Sequence, residues 1–144
     1  MATEEQIQLL LSELKKAPPS QLFQSIDSST AGMRAILLYL GDTDRIVTAG
    51  MVSDYMHVST ARVAVLLKKM EAKGLLEKQR DPKDARKVMV RLSDAGRELA
   101  AMQRTHIRKH VEAMIDQIGM DRMLEFAAIA NEIHSIFKPA DIDL

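Results

Sequence analysis

Apolar residues recur along this chain with two periods, and the switch between them marks out its elements. Ile7, Leu10, Leu11 and Leu14 are spaced 3, 1 and 3, which predicts a helix from Glu4 to Lys16 stopped by Ala17-Pro18-Pro19-Ser20. A short helical turn is expected between 21 and 28. Met33, Ile36, Leu37 and Leu40 then predict a second helix, capped by Ser28 or Ser29 and closed by Gly41. Arg45-Ile46-Val47 reads as a very short strand. Thr48 predicts the cap of a short helix, Ala49 to Met56, with Met51, Val52 and Tyr55 inward. Ser59 or Thr60 starts the next helix, which runs to about Lys73 with Val63, Leu66, Leu67 and Met70 as its buried stripe and Gly74 as its stop.

The period then shortens. Leu75 to Gln79 and Val88 to Leu92 are strand candidates, joined by the charged turn Arg80-Asp81-Pro82-Lys83-Asp84-Ala85-Arg86-Lys87. Ser93-Asp94 caps a long helix to about Ile118, and Gly119 breaks it. Asp121 to Phe137 forms a last helix with Met123, Leu124, Phe126, Ile129, Ile133, Ile136 and Phe137 as its stripe. The fold class is therefore mostly α with a small β-hairpin, in the order of a winged helix-turn-helix. The stripes of the first helix, the second half of the long one and the last have no obvious partner within a small winged domain. Pairing with a second copy would bury them. A single domain over 1–144 is expected, with 1–27 and 110–144 as dimerisation helices and 28–109 as the winged helix-turn-helix and linking long helix.

Composition sharpens this picture. Hydrophobic residues make up 47% and aromatics 3%, with ten Met and no Trp, so the core must be aliphatic. There is no Cys, which removes disulfides and thiolate metal sites and fits a reducing cytoplasm. No apolar run approaches the roughly 20 residues of a membrane span, and the polar, acidic start Met1-Ala2-Thr3-Glu4-Glu5 is unlike a signal peptide. A cytoplasmic protein is expected. The formal net charge of zero hides a strong segregation. Residues 1–58 carry −3, residues 59–109 carry +8 and residues 110–144 carry −5. A basic middle between acidic ends points to a polyanion on one face.

The buried stripe of the helix from Ser59 fixes its phase, and the opposite face holds Ala61, Ala64, Val65 and Lys68, flanked by Arg62 and Lys69. Small apolar side chains suit thymine methyls and cannot read guanine bidentately, so an A/T-rich double-stranded DNA site read partly by shape is expected. Arg62 is the candidate base contact. Ser59, Thr60 and the helix N-terminus suit a phosphate, as do Lys68 and Lys69. In the hairpin, Lys83, Arg86 and Lys87 are the candidate contacts. Arg80 and Arg91 either meet phosphate or only flank the strands.

Three segments in register carry a family resemblance. They are Val58-Ser59-Thr60-Ala61-Arg62-Val63 through Lys69-Met70-Glu71-Ala72-Lys73-Gly74-Leu75-Leu76-Glu77, then Asp81-Pro82-Lys83-Asp84-Ala85-Arg86, then Leu92-Ser93-Asp94-Ala95-Gly96. On these the chain resembles the MarR family of transcriptional regulators. The resemblance implies a homodimer with two winged lobes on a palindromic operator, most simply a repressor. It implies that Asp84 and Arg86 hold the wing rigid, with Arg86 at the phosphates or minor groove. It also implies a pocket for a small apolar or aromatic-acid effector, for which Met33, Arg34, Leu37, Tyr39, Met56 and Met102 are candidates. Some relatives sense zinc, and His106 and His110 stand four apart on one helix face at metal-ligand spacing. A zinc-responsive regulator and a winged helix used for protein contact are therefore the alternatives. No convergent nucleophile, acid and base are found, so neither an enzyme nor a cofactor is expected.

Overall fold

The computed structural model describes residues 1–16, 28–43 and 45–136. The described elements are α1 (Glu4–Lys16), α2 (Ser28–Gly41), β1 (Val47–Thr48), α3 (Ala49–Met56), α4 (Thr60–Ala72), β2 (Leu76–Arg80), β3 (Val88–Leu92), α5 (Asp94–Ile118) and α6 (Met120–Ile136). The expected helical turn between 21 and 28 and the helical end at Phe137 fall outside the described residues. The chain forms two compact units, one of 26–104 and one joining 1–25 to 105–144, and α5 contributes to both.

The unit of 26–104 packs α2, α3, α4 and the start of α5 around a sheet ordered β1-β3-β2, antiparallel throughout. Its core joins Ile36, Leu37 and Leu40 of α2, Val52 of α3, and Val63, Leu66, Leu67 and Met70 of α4. Val47, Leu76, Val90 and Leu92 of the sheet and Ala100 of α5 complete it. The stripes read from α2 and α4 are the buried ones, as their spacing dictates. The stripe of α3 departs from expectation. Val52 is buried, but Met51 is 39% and Tyr55 55% exposed, and Ser53 turns inward instead. Tyr55 stacks on Tyr39 of α2 with ring centroids 4.2 Å apart, so its apolar area is covered from the side and not by the core. The first strand begins two residues and ends one residue later than expected, at Val47–Thr48, because pairing of Val47 with Val90 and Thr48 with Met89 sets it.

The junction of α4, β2 and α5 shows why Leu92-Ser93-Asp94-Ala95-Gly96 follows the hairpin. Helix α4 ends in a Schellman turn: Gly74, at φ 71°, donates to Glu71 O at 2.9 Å, and Leu75 donates to Met70 O at 3.0 Å. Ser93 caps α5 by accepting from Gly96 N at 3.1 Å. Its hydroxyl also donates to Gly74 O at 2.6 Å, and its amide donates to Leu75 O at 3.0 Å. A Cβ at Gly96 would sit 2.0 Å from Leu75 O, so no other residue fits there unchanged.

In the other unit the terminal stripes partly bury one another. Ile7 and Leu10 of α1, Val111 and Ile115 of α5, and Met123 of α6 form a second core. These stripes, expected to have no obvious partner within the winged domain, meet one another in this separate unit. Helix α6 buries Met123, Ala127 and Ala130, while Phe126, Ile129 and Ile136 of its expected stripe stay exposed with Leu9 of α1 and Ile118 of α5. Arg108 of α5 ion-pairs with Glu4 of α1. Hydrogen bonds from Gln8 and then from Arg108 hold the Glu4 carboxyl below its ordinary range.

Candidate nucleic-acid interface

Helices α3 and α4 are joined by a turn of three residues whose geometry is locked from inside. His57 takes the left-handed conformation, φ 54°, that lets the chain reverse. Val58 donates its amide to Ser53 O at 3.3 Å, and the buried Ser53 hydroxyl returns a bond to Val58 O at 2.6 Å. Ser59 then caps α4 by accepting from Arg62 N at 3.1 Å. Its hydroxyl hydrogen remains available to an incoming acceptor, and the first amides of α4 point the same way.

The outward face of α4 is the expected one. Ala61, Ala64, Val65 and Lys68 are exposed, Val65 at 50%, while Arg62 is half-buried on the flank and Thr60 and Lys69 are exposed. No carboxylate occurs from Thr60 to Met70, so the face is neutral to basic. Backbone close approach is open to it, since three of its four positions are small or short and apolar.

The hairpin loop turns its acids inward and its bases outward. Asp81 accepts from Lys83 N at 2.8 Å, and Asp84 accepts from Arg86 N at 3.0 Å. Backbone bonds from Asp81 N to Lys87 O and from Lys87 N to Asp84 O, both 3.0 Å, close the loop. Both carboxylates are half-buried on the backbone, and Lys83, Arg86 and Lys87 are exposed. Asp84 thus accepts from the backbone of Arg86, and no bond between Asp84 and the Arg86 guanidinium is found among the described residues.

The sheet register separates Arg80 from Arg91. Arg80 pairs with Val88 and shares the α4 side of the sheet with Lys78 and Leu76. With Ala49, Ala64, Leu67, Lys78 and Val88 it lines a notch of about 360 Å³ beside the outward face of α4. Arg91 lies on the opposite side, where its guanidinium meets Glu77 at 2.9 Å. Alternation places Arg91 on the face opposite Val90 and Leu92, and the register with β2 adds that Arg80 shares the face of Leu76 and Val90.

The remaining candidates lie elsewhere. Leu37 is in the core, Met33, Tyr39 and Met56 pack half-buried against it, and Arg34 and Met102 are exposed. None of the six lines the notch beside α4 or the larger cavity on the other side of the sheet. His106 and His110 are exposed on α5. Among the described residues no group of three or more His, Cys, Asp or Glu comes together as metal ligands would.

The profile of the MarR family matches residues 34–87, from α2 through the hairpin loop. YdgJ of Bacillus subtilis (strain 168), an uncharacterized HTH-type transcriptional regulator, is 28% identical over 104 residues, or 69% of this chain. The match spans about three fifths, 62%, of that relative's length. Two solved structures share the fold. The S. aureus MepR–DNA complex matches with a TM-score of 0.67 at 16% identity, over 95% of this chain and 100% of that one. Streptococcus pneumoniae FabT in complex with DNA matches with a TM-score of 0.59 at 22% identity, over 90% of this chain and 84% of that one.

Proposed function

We propose that the chain is a winged-helix protein of the MarR family, whose profile matches residues 34–87, and that it is a sequence-specific, double-stranded-DNA-binding transcriptional regulator. Helix α4 enters the major groove, and the hairpin loop lies on the backbone with Arg86 at the adjacent minor groove. The observation that carries this reading is the hairpin loop. Asp81 and Asp84 are held on backbone amides, so Lys83, Arg86 and Lys87 present an outward surface without a competing carboxylate of the loop. Beside it, Ser59, Thr60, Lys68 and Lys69 suit phosphates, Arg62 suits a base edge, and Ala61 and Val65 suit thymine methyls.

The finer reading is a homodimeric repressor on a palindromic, A/T-rich operator, working in the cytoplasm. Exposed Leu9, Ile118, Phe126, Ile129 and Ile136 support pairing of the terminal helices with those of a second copy. Two copies place two α4 helices on half-sites about 34 Å apart, so a small change in spacing releases the DNA. A small apolar or aromatic-acid effector acting near Met33, Arg34, Leu37, Met56 and Met102 would make that change. The test is binding of the purified protein to fragments of its own upstream DNA with excess competitor, together with the number of chains bound per site. Two chains on one palindromic fragment is the expected result. Equal binding to every fragment, or none at low salt, would overturn it and leave a protein-contact module.

A further inference from the structure

A second cavity, about 620 Å³, opens on the side of the sheet away from α4. Its floor is the outward row Glu77, Gln79, Met89 and Arg91, and its walls are Arg45 and Ile46 before β1 and Arg97 of α5. Small-molecule sites occupy about 300–1,000 Å³, so the volume suits a ligand of ordinary size. None of Met33, Arg34, Leu37, Met56 and Met102 lines it.

The charge of this cleft is unbalanced. Arg91 is held by Glu77 at 2.9 Å, and Lys78, also on the lining, lies 3.8 Å from Glu71. Arg45 and Arg97 are exposed, and their guanidiniums make no hydrogen bond or ion pair with the described residues. The loop that carries Arg45 is shaped locally, because Arg45 N donates to the Thr43 hydroxyl at 3.1 Å. Ile46, 73% exposed, and half-buried Met89 add apolar surface next to these two cations. A single charge would leave one of these arginines unneutralised, whereas a dianion carries a charge for each, and guanidinium forks match carboxylate and phosphate oxygens.

We propose that this cleft binds a small organic dianion, a phosphate monoester or a dicarboxylate whose apolar part rests on Ile46 and Met89. The site is separate from the DNA surface and does not rest on the DNA-binding reading. Calorimetric titration of the intact protein, without DNA and at low ionic strength, tests it with phenyl phosphate, phthalate and the monoanion benzoate. At least one dianion should bind saturably, one per chain, with benzoate about tenfold weaker. The stronger of the two dianions identifies the head group. The double variant R45Q/R97Q should lose about tenfold or more in affinity, while K109Q/R122Q, which removes the same charge from the other unit, should bind as the wild type does. Melting curves check that each variant is folded, and both Arg45 and Arg97 are surface side chains that the core does not need. Absence of saturable dianion binding, or equal losses in both double variants, would overturn the proposal. A fall in DNA affinity in R45Q/R97Q without dianion binding would make the cleft a DNA-phosphate contact instead.

Discussion

Ser53 sets the turn between α3 and α4 with a buried hydroxyl. That hydroxyl is its only reason to be inside, because it satisfies Val58 O at 2.6 Å. Ser53→Ala should lower stability by about 1–2 kcal/mol, since the carbonyl would be without its donor. Urea unfolding checks this, and an unchanged midpoint would mean that Val58 O has another partner. On the proposed reading, Arg62 meets DNA from the same turn. Arg62→Ala should weaken operator binding by about 1–3 kcal/mol and relax preference at one base pair. Uniform loss across a set of single-substitution operators would make Arg62 a backbone contact instead. At this scale the sequence is informative wherever a side chain acts on its own neighbourhood. Thr48 and Ser59 are the caps that their positions predict. Ser53 is not legible, because a serine inside a short helix carries no local sign that its hydroxyl faces the next turn. Met51 and Tyr55 read as inward for the converse reason. A helix of eight residues has too few apolar positions to fix its phase.

At the scale of elements, the start of α5 is fastened to the end of α4. Ser93 bonds Gly74 O and Leu75 O, and Gly96 leaves room for Leu75 O. Gly96→Ala should therefore cost about 3 kcal/mol or more although alanine favours helices, because its Cβ would overlap a backbone atom that cannot rotate away. Thermal melting should show the loss, and a melting temperature at or above that of the wild type would contradict it. Strands, caps and buried helix stripes are legible from period and end residues. What brings two elements together is not, because Ser93 and Gly74 lie 19 residues apart and their bond depends on the packed fold. The cleft beside Arg45 and Arg97 is invisible in the sequence for the same reason, since residues near 45 and near 91 meet only across the sheet.

At the scale of the whole molecule, the segregation of charge gains a structural cause. The basic stretch 59–109 contains both α4 and the hairpin. The carboxylates of the loop are consumed by its own turns. The acidic stretch 110–144 holds α6, whose exposed Phe126, Ile129 and Ile136 suit contact with a like chain and not with DNA. Affinity for DNA then comes largely from released counterions, and removing the charge from one phosphate should lower the slope of log K against log salt by about 0.9. The most direct measurement is the salt dependence of binding to one upstream operator fragment for the wild type and Arg86→Ala. The account predicts tight, steeply salt-dependent binding by the wild type. It predicts a shallower slope for the variant, by about one for each Arg86 that meets a phosphate. An identical slope in the two proteins would remove Arg86 from the DNA, and with it the hairpin as the second arm of the interface.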